Sequence, residues 1–191
     1  MTTTLTERSA TASLVCPAWC RLHDVNNCGE VYHQSDLYAA VPDDVFGEEI
    51  VVDVCQNDFA DDTTTGPIVA VMWSRDGGTP VDEHKAFAPQ CARELAEAIR
   101  VAAQTGEPIR PIIVPTRREP VPGIPLADEW IAVEWTPQRR NLNGRHVGPY
   151  VEIVYPSESP DQVRPHVAQL LPEDADKLAA GLLRACGDAA A

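Results

Sequence analysis

The sequence predicts an α+β protein: an N-terminal zinc knuckle followed by two ββα-like units, with an antiparallel sheet and two helices on one face. Three observations predict it. Two stretches space their apolar residues as helices do, and each opens at a proline, which suits a first helical turn. Four compact runs are rich in β-branched and aromatic residues, as strands are. The order strand, strand, helix occurs twice, and neighbouring antiparallel strands under covering helices would give it one core.

Residues 1–13 are a polar, Thr-rich tail, expected to be disordered. Residues 14–36 carry a Cys/His cluster in a turn-rich stretch. The first ββα-like unit spans 37–107, and its opening, 37–48, reads as loop or one short helical turn. Ile50 to Cys55 is a β-branched strand, residues 56–67 a polar turn, and Ile68 to Trp73 a second strand stopped by Asp76-Gly77-Gly78. Phe87, Cys91, Leu95, Ile99 and Ala102 recur at helical spacing, which predicts a helix from Pro89 to Ala103, ended by Gly106.

Residues 108–125 contain six prolines. Proline fixes φ and removes a donor, so this is a stiff connector, with Ile112-Ile113-Val114 as an edge strand inside it. The second unit spans 126–191. In Trp130–Thr136, Ile131, Val133 and Trp135 alternate with Ala132 and Glu134, so one face is buried. Pro149–Tyr155 is its partner across a loop holding Asn143-Gly144. The last helix runs from Pro172 to Cys186 on a stripe of Leu171, Ala175, Leu178, Leu182 and Ala185, with Gly187 as its cap. Val69–Trp73 parallels Ile131–Trp135, and the two helix starts match as well, as two copies of one unit would, or as amphipathic strands and helices resemble each other by necessity.

The chain has 191 residues and a formal net charge of -14. The excess is uneven: residues 1–104 hold 17 acids against 6 bases. Such a surface repels phosphate backbones, which argues against nucleic acid; its plain reading is solubility, and it could instead meet a basic partner. The first residues lack an apolar h-region, and no run is long enough to span a membrane. A cytoplasmic protein is expected. There, six cysteines point to metal, catalysis or burial before disulfides.

The strongest chemical signal is Cys16-Pro17-Ala18-Trp19-Cys20, followed by His23, Cys28 and His33: five soft or borderline ligands within 18 residues. Zinc takes four such ligands tetrahedrally, and a pair offered by one tight turn chelates it. His23, Cys28 and His33 compete for the remaining two places. Asp24 and Asp36 are placed to orient a histidine through its second nitrogen. His-Glu-x-x-His and the deaminase pattern are both absent, so a closed structural site is expected over a catalytic one.

At these residues the chain resembles a family of small, uncharacterised actinobacterial proteins. They open Cys-Pro-x-Trp-Cys, place two histidines after it, and continue with two strands and an Ala/Leu-rich helix. Cys16, Pro17, Trp19, Cys20, His23 and His33 match the opening, and residues 50–104 match the body. The second half has no such cluster. The resemblance implies Cys16, Cys20, His23 and His33 as the zinc ligands, with Cys28 as the alternative.

Two weaker features are candidate partner contacts. Residues 43–62 carry eight acids and no base, including Asp58, Asp61 and Asp62. The plain reading of that stretch is a solvated loop. Arg139, Arg140 and Arg145 gather in the loop between the last two strands, a small basic patch on an acidic chain. Cys55, Cys91 and Cys186 fall in predicted strands and helices and read as core residues. The leading expectation is a non-enzymatic, zinc-stabilised binding or regulatory protein, of host or phage origin, that contacts another protein. The alternatives are a nucleic-acid-binding regulator that uses the zinc segment with the Arg139–Arg145 loop, and a small metal-dependent enzyme.

Overall fold

The computed structural model describes residues 16–43, 48–61, 63–75, 79–106, 111–116, 130–140, 146–155 and 166–191. The N-terminal tail, Asp62 and Arg145 lie outside them, as do the side chains of Arg139 and Arg140.

In chain order the elements are β1 (Leu22–Val25), β2 (Val31–Gln34), β3 (Ala39–Pro42), β4 (Glu48–Asp58), β5 (Ile68–Arg75), β6 (Thr79–Phe87), α1 (Pro89–Thr105), β7 (Ile112–Pro115), β8 (Trp130–Thr136), β9 (Arg139–Arg140), β10 (His146–Val147), β11 (Tyr150–Tyr155), β12 (His166–Leu170) and α2 (Pro172–Ala189). The α+β class with antiparallel strands and two helices is as expected. The strands divide into two sheets. The larger runs β1-β2-β4-β5-β6, with β3 beside the first half of β4; the smaller runs β12-β11-β8-β7; β9 and β10 form a separate ribbon.

Each unit has more strands than its sequence advertises. Residues 37–48, expected as loop or helical turn, contain β3. The segment before each helix holds a further strand, β6 or β12. Residues 112–115 of the expected connector are an edge strand, and they belong to the second unit's sheet. The result is one order met twice: β3-β4-β5-β6-α1 and β7-β8-β11-β12-α2, with each set of strands paired in sequence. The last helix does not stop at Cys186; Gly187 lies inside it and the cap is Ala190.

The helices are crossed between the units. α1 follows β6 but packs mainly on β7, β8 and β11, whereas α2 follows β12 but packs mainly on β3, β4 and β5. The two helices also pack on each other, where the Cys186 thiol donates to the Pro89 carbonyl at 3.2 Å. One apolar core therefore joins both sheets, and Trp73 of β5 stacks on Tyr155 of β11 at a centroid distance of 4.0 Å. Burial of this continuous surface is the main stabilising term.

α2 sits unusually close to the start of the first unit. A Cβ on Gly181 would lie 2.5 Å from the Ala39 Cβ and 3.0 Å from the Tyr38 oxygen, so only glycine fits. Arg184 donates to the Tyr38 carbonyl, and the Tyr38 hydroxyl donates to Asp188. These contacts fix the segment that leads directly out of the Cys/His cluster.

Candidate metal centre

The cluster is built by one turn and one hairpin. The Cys20 N–H donates to the Pro17 carbonyl at 3.0 Å, closing a turn that returns Cys20 towards Cys16. Trp19, 8% exposed, anchors that turn in the main core. The Arg21 N–H donates to the Gln34 carbonyl, and β1 then pairs with β2. The turn-rich cluster of the sequence is thus a hairpin. Asn26 organises its tip by accepting from the N–H groups of Cys28 and Glu30, and Gly29 supplies a φ of 82° there.

Register sets the chemistry. His23 lies directly opposite His33, and His33 directly opposite Gln56 of β4. Facing residues in a sheet share a face, so both imidazoles point to the same side. The ring centroids are 6.4 Å apart. The Cys16 Sγ is 3.8 Å from His23 Nδ1, and the Cys20 Sγ is 3.5 Å from His33 Nδ1. Bonds of about 2.3 Å to sulfur and about 2.0–2.1 Å to nitrogen give a tetrahedron with a sulfur–nitrogen edge of about 3.6 Å. Both spacings match it.

The donor atoms of Cys16, Cys20 and His23 all lie within 4.8 Å of one another, a group able to hold a metal ion. His33 lies outside that mutual limit and meets the group through the Cys20 sulfur. It is fully buried, so it closes the inner side, while Cys16 and His23 face solvent. Cys28 is exposed at the hairpin tip and is not in the group.

The carboxylate behind the site is Asp58, which in the sequence reads only as part of an acidic loop. His33 Nε2 stands 3.1 Å from Asp58 Oδ2, and Gln56 donates to the other Asp58 oxygen at 2.7 Å. A hydrogen bond of this kind fixes the tautomer and aim of a ligating histidine. Burial raises the Asp58 pKa, but hydrogen bonds from Gln56, Thr64 and His33 outweigh it and hold the carboxyl below its ordinary range. Neither Asp24 nor Asp36 takes the orienting role. Asp24 faces Tyr32 on the opposite side of the hairpin, and Asp36 pairs with Arg21 at 3.5 Å. Sequence spacing could not reveal Asp58, because it reaches His33 only through the β2–β4 pairing.

Burial also raises the Cys20 thiol, with the Gln34 backbone hydrogen bond opposing it. A neutral thiol is favoured there until a cation arrives, and a coordinating cation deprotonates it. Of the remaining candidates, Asp61 is exposed and accepts from the Thr63 N–H and hydroxyl, which holds its pKa down and closes its own turn. Arg139 and Arg140 lie in the β9–β10 ribbon, opposite Val147 and His146.

Comparison with known family models, curated proteins and solved structures finds no match to this chain. Among the described residues, no helix is long and apolar enough to cross a membrane.

Proposed function

We propose that this chain is a non-enzymatic binding module stapled by structural zinc, which contacts another protein as a regulator or adaptor. The ligands are Cys16, Cys20, His23 and His33. The observation that carries the reading is the pair of sulfur–nitrogen spacings, 3.8 and 3.5 Å, each matching a zinc tetrahedron edge. Four protein ligands fill such a site and leave no position for substrate, which favours a structural role over a catalytic one. The zinc would fasten the Cys-Pro-Ala-Trp-Cys turn to the β1–β2 hairpin, which the His33–Asp58 hydrogen bond ties to β4. The shared opening motif sets the chain, in this proposal, beside the actinobacterial proteins it resembles.

Elemental analysis of the purified protein, with melting before and after chelation, tests the metal. One zinc per chain and a large fall in melting temperature on chelation is the expected result. Metal-dependent turnover by a chain that stays folded when stripped would replace this reading with an enzyme. Cross-linking in cells followed by mass spectrometry tests the binding role, and failure to recover any reproducible protein partner would count against it.

The β9–β10 ribbon favours one second reading, since its backbone register sets Arg140 opposite His146, next to Arg139. Salt-dependent retention on DNA or RNA, lost when Arg139, Arg140 and Arg145 are replaced, would support nucleic-acid binding. The net charge of -14 opposes it.

A further inference from the structure

The hairpin has a second face, and it carries a different chemistry. One row across β1, β2 and β4 is His23, His33 and Gln56; the next, which points the other way, is Asp24, Tyr32 and Asn57. Asp24, Tyr32 and Asn57, with Asn26, Glu30 and Phe59, line a hollow of about 150 Å³. Tyr32 is 37% exposed in spite of its size. Asn26 donates to one Glu30 oxygen at 2.6 Å, which fixes that carboxylate at the rim. Among the described residues, no donor meets the other Glu30 oxygen or the Asp24 carboxylate. Arg21, the arginine nearest in sequence, pairs with Asp36.

We infer that this hollow is a recognition site for an arginine side chain of the partner protein. Two aromatic rings and two carboxylates around one cavity leave an unbalanced negative charge beside aromatic side chains. A guanidinium satisfies both demands at once, because its plane stacks on an aromatic face while its fork donates to carboxylates. A hard metal ion suits the site less well, since only two of the six lining side chains are carboxylates and two are aromatic. Charge complementarity points the same way: a chain of -14 attracts basic segments. The site deepens the binding role proposed above and rests on it for the identity of the partner. The zinc face and the arginine face are two sides of one hairpin, so metal on one side would hold the register that forms the other.

The test is a titration of the full, metal-loaded chain with a blocked Gly-Gly-Arg-Gly-Gly peptide, followed by NMR, with glutamine and lysine versions alongside. The arginine peptide is expected to shift the signals of Asp24, Glu30, Tyr32 and Phe59. The doubly substituted Asp24→Asn, Glu30→Gln chain should bind it at least tenfold more weakly, with metal content and melting temperature unchanged. Tyr32→Leu should weaken binding while both carboxylates remain. Equal shifts from arginine and glutamine peptides would overturn the site. Unchanged affinity in the doubly neutralised chain would overturn it too, and equal binding of the lysine peptide would overturn the guanidinium assignment. Metal content is read separately, so a chain that binds arginine without zinc refutes the staple and leaves this site standing.

Discussion

Two glycines in α2 make a paired prediction with opposite signs. Replacing glycine by alanine inside a helix stabilises by about 1 kcal/mol through backbone entropy and propensity. A methyl group added at Gly187 would meet nothing within 4 Å, so Gly187→Ala should show that gain in full. For a chain of this length the gain is about 2–4 °C in melting temperature. Gly181 differs, because its new methyl would sit 2.5 Å from the Ala39 Cβ. Carbon atoms pack at about 3.5–4.0 Å, so helix and strand must separate by roughly 1 Å. Ala39 has no flexible end to swing aside, and overpacking of this sort costs about 1–3 kcal/mol. Set against the helix gain, a net loss of up to about 2 kcal/mol remains, or a fall of up to about 8 °C. Parallel thermal melts of the two variants and the parent decide it. Adding Ala39→Gly to Gly181→Ala should restore most of the loss, since it removes the opposing methyl. If Gly181→Ala raised the melting temperature as Gly187→Ala does, the close docking of α2 on Ala39 would be refuted.

Three further outcomes are expected. Asp58→Asn should keep the fold but weaken metal affinity by about 10–100-fold, the usual effect of removing a carboxylate behind a ligating histidine; competition with a chromophoric chelator reads it. Cys28→Ser should leave metal stoichiometry and affinity unchanged, and a loss of metal would restore Cys28 as a ligand. Burial, with the Asp53 charge behind it, pushes the Cys55 thiol up to about 12 from an ordinary value of 9.0, against an opposing hydrogen bond from Tyr32. The folded state therefore holds this proton more tightly than the unfolded chain, so its contribution is complete below pH 9 and is lost as pH rises towards 12. Urea midpoints measured across that window should fall less steeply in Cys55→Ala than in the parent.

The parts of the fold that announce themselves in sequence are those with clean periodicity. α1 begins at Pro89 as expected and reaches Gly106 because it buries one regular face, and β8 has the expected bounds, although Ala132 is buried along with Ile131 and Val133 and not turned outward as the alternation predicts. β6 is hidden by its composition: Pro80, Asp82, Glu83, His84 and Lys85 read as loop, although Lys85 is buried in the folded chain. β12 is short, with only Ala168 and Leu170 as fully buried apolar positions. Gly187 looks like a cap because glycine usually ends helices, but α2 continues past it to bury Ala189. At the candidate site, Cys16, Cys20 and His23 are close in sequence and meet through local turns. His33 needs the hairpin register, and Asp58 needs a third strand, so spacing alone names the nearer candidates and misses the carboxylate behind the farthest.

The crossed helices bear on how the protein is made. The inner face of β3 and β4, residues 39–58, is sealed by α2, residues 172–189. More than a hundred residues are synthesised between the two. During translation the first sheet must wait with an apolar face uncovered, at the stage when aggregation competes with folding. Native structure in the first half is thus gated by arrival of the last helix at the ribosome exit. The Cys/His hairpin, local in sequence, is able to close before then.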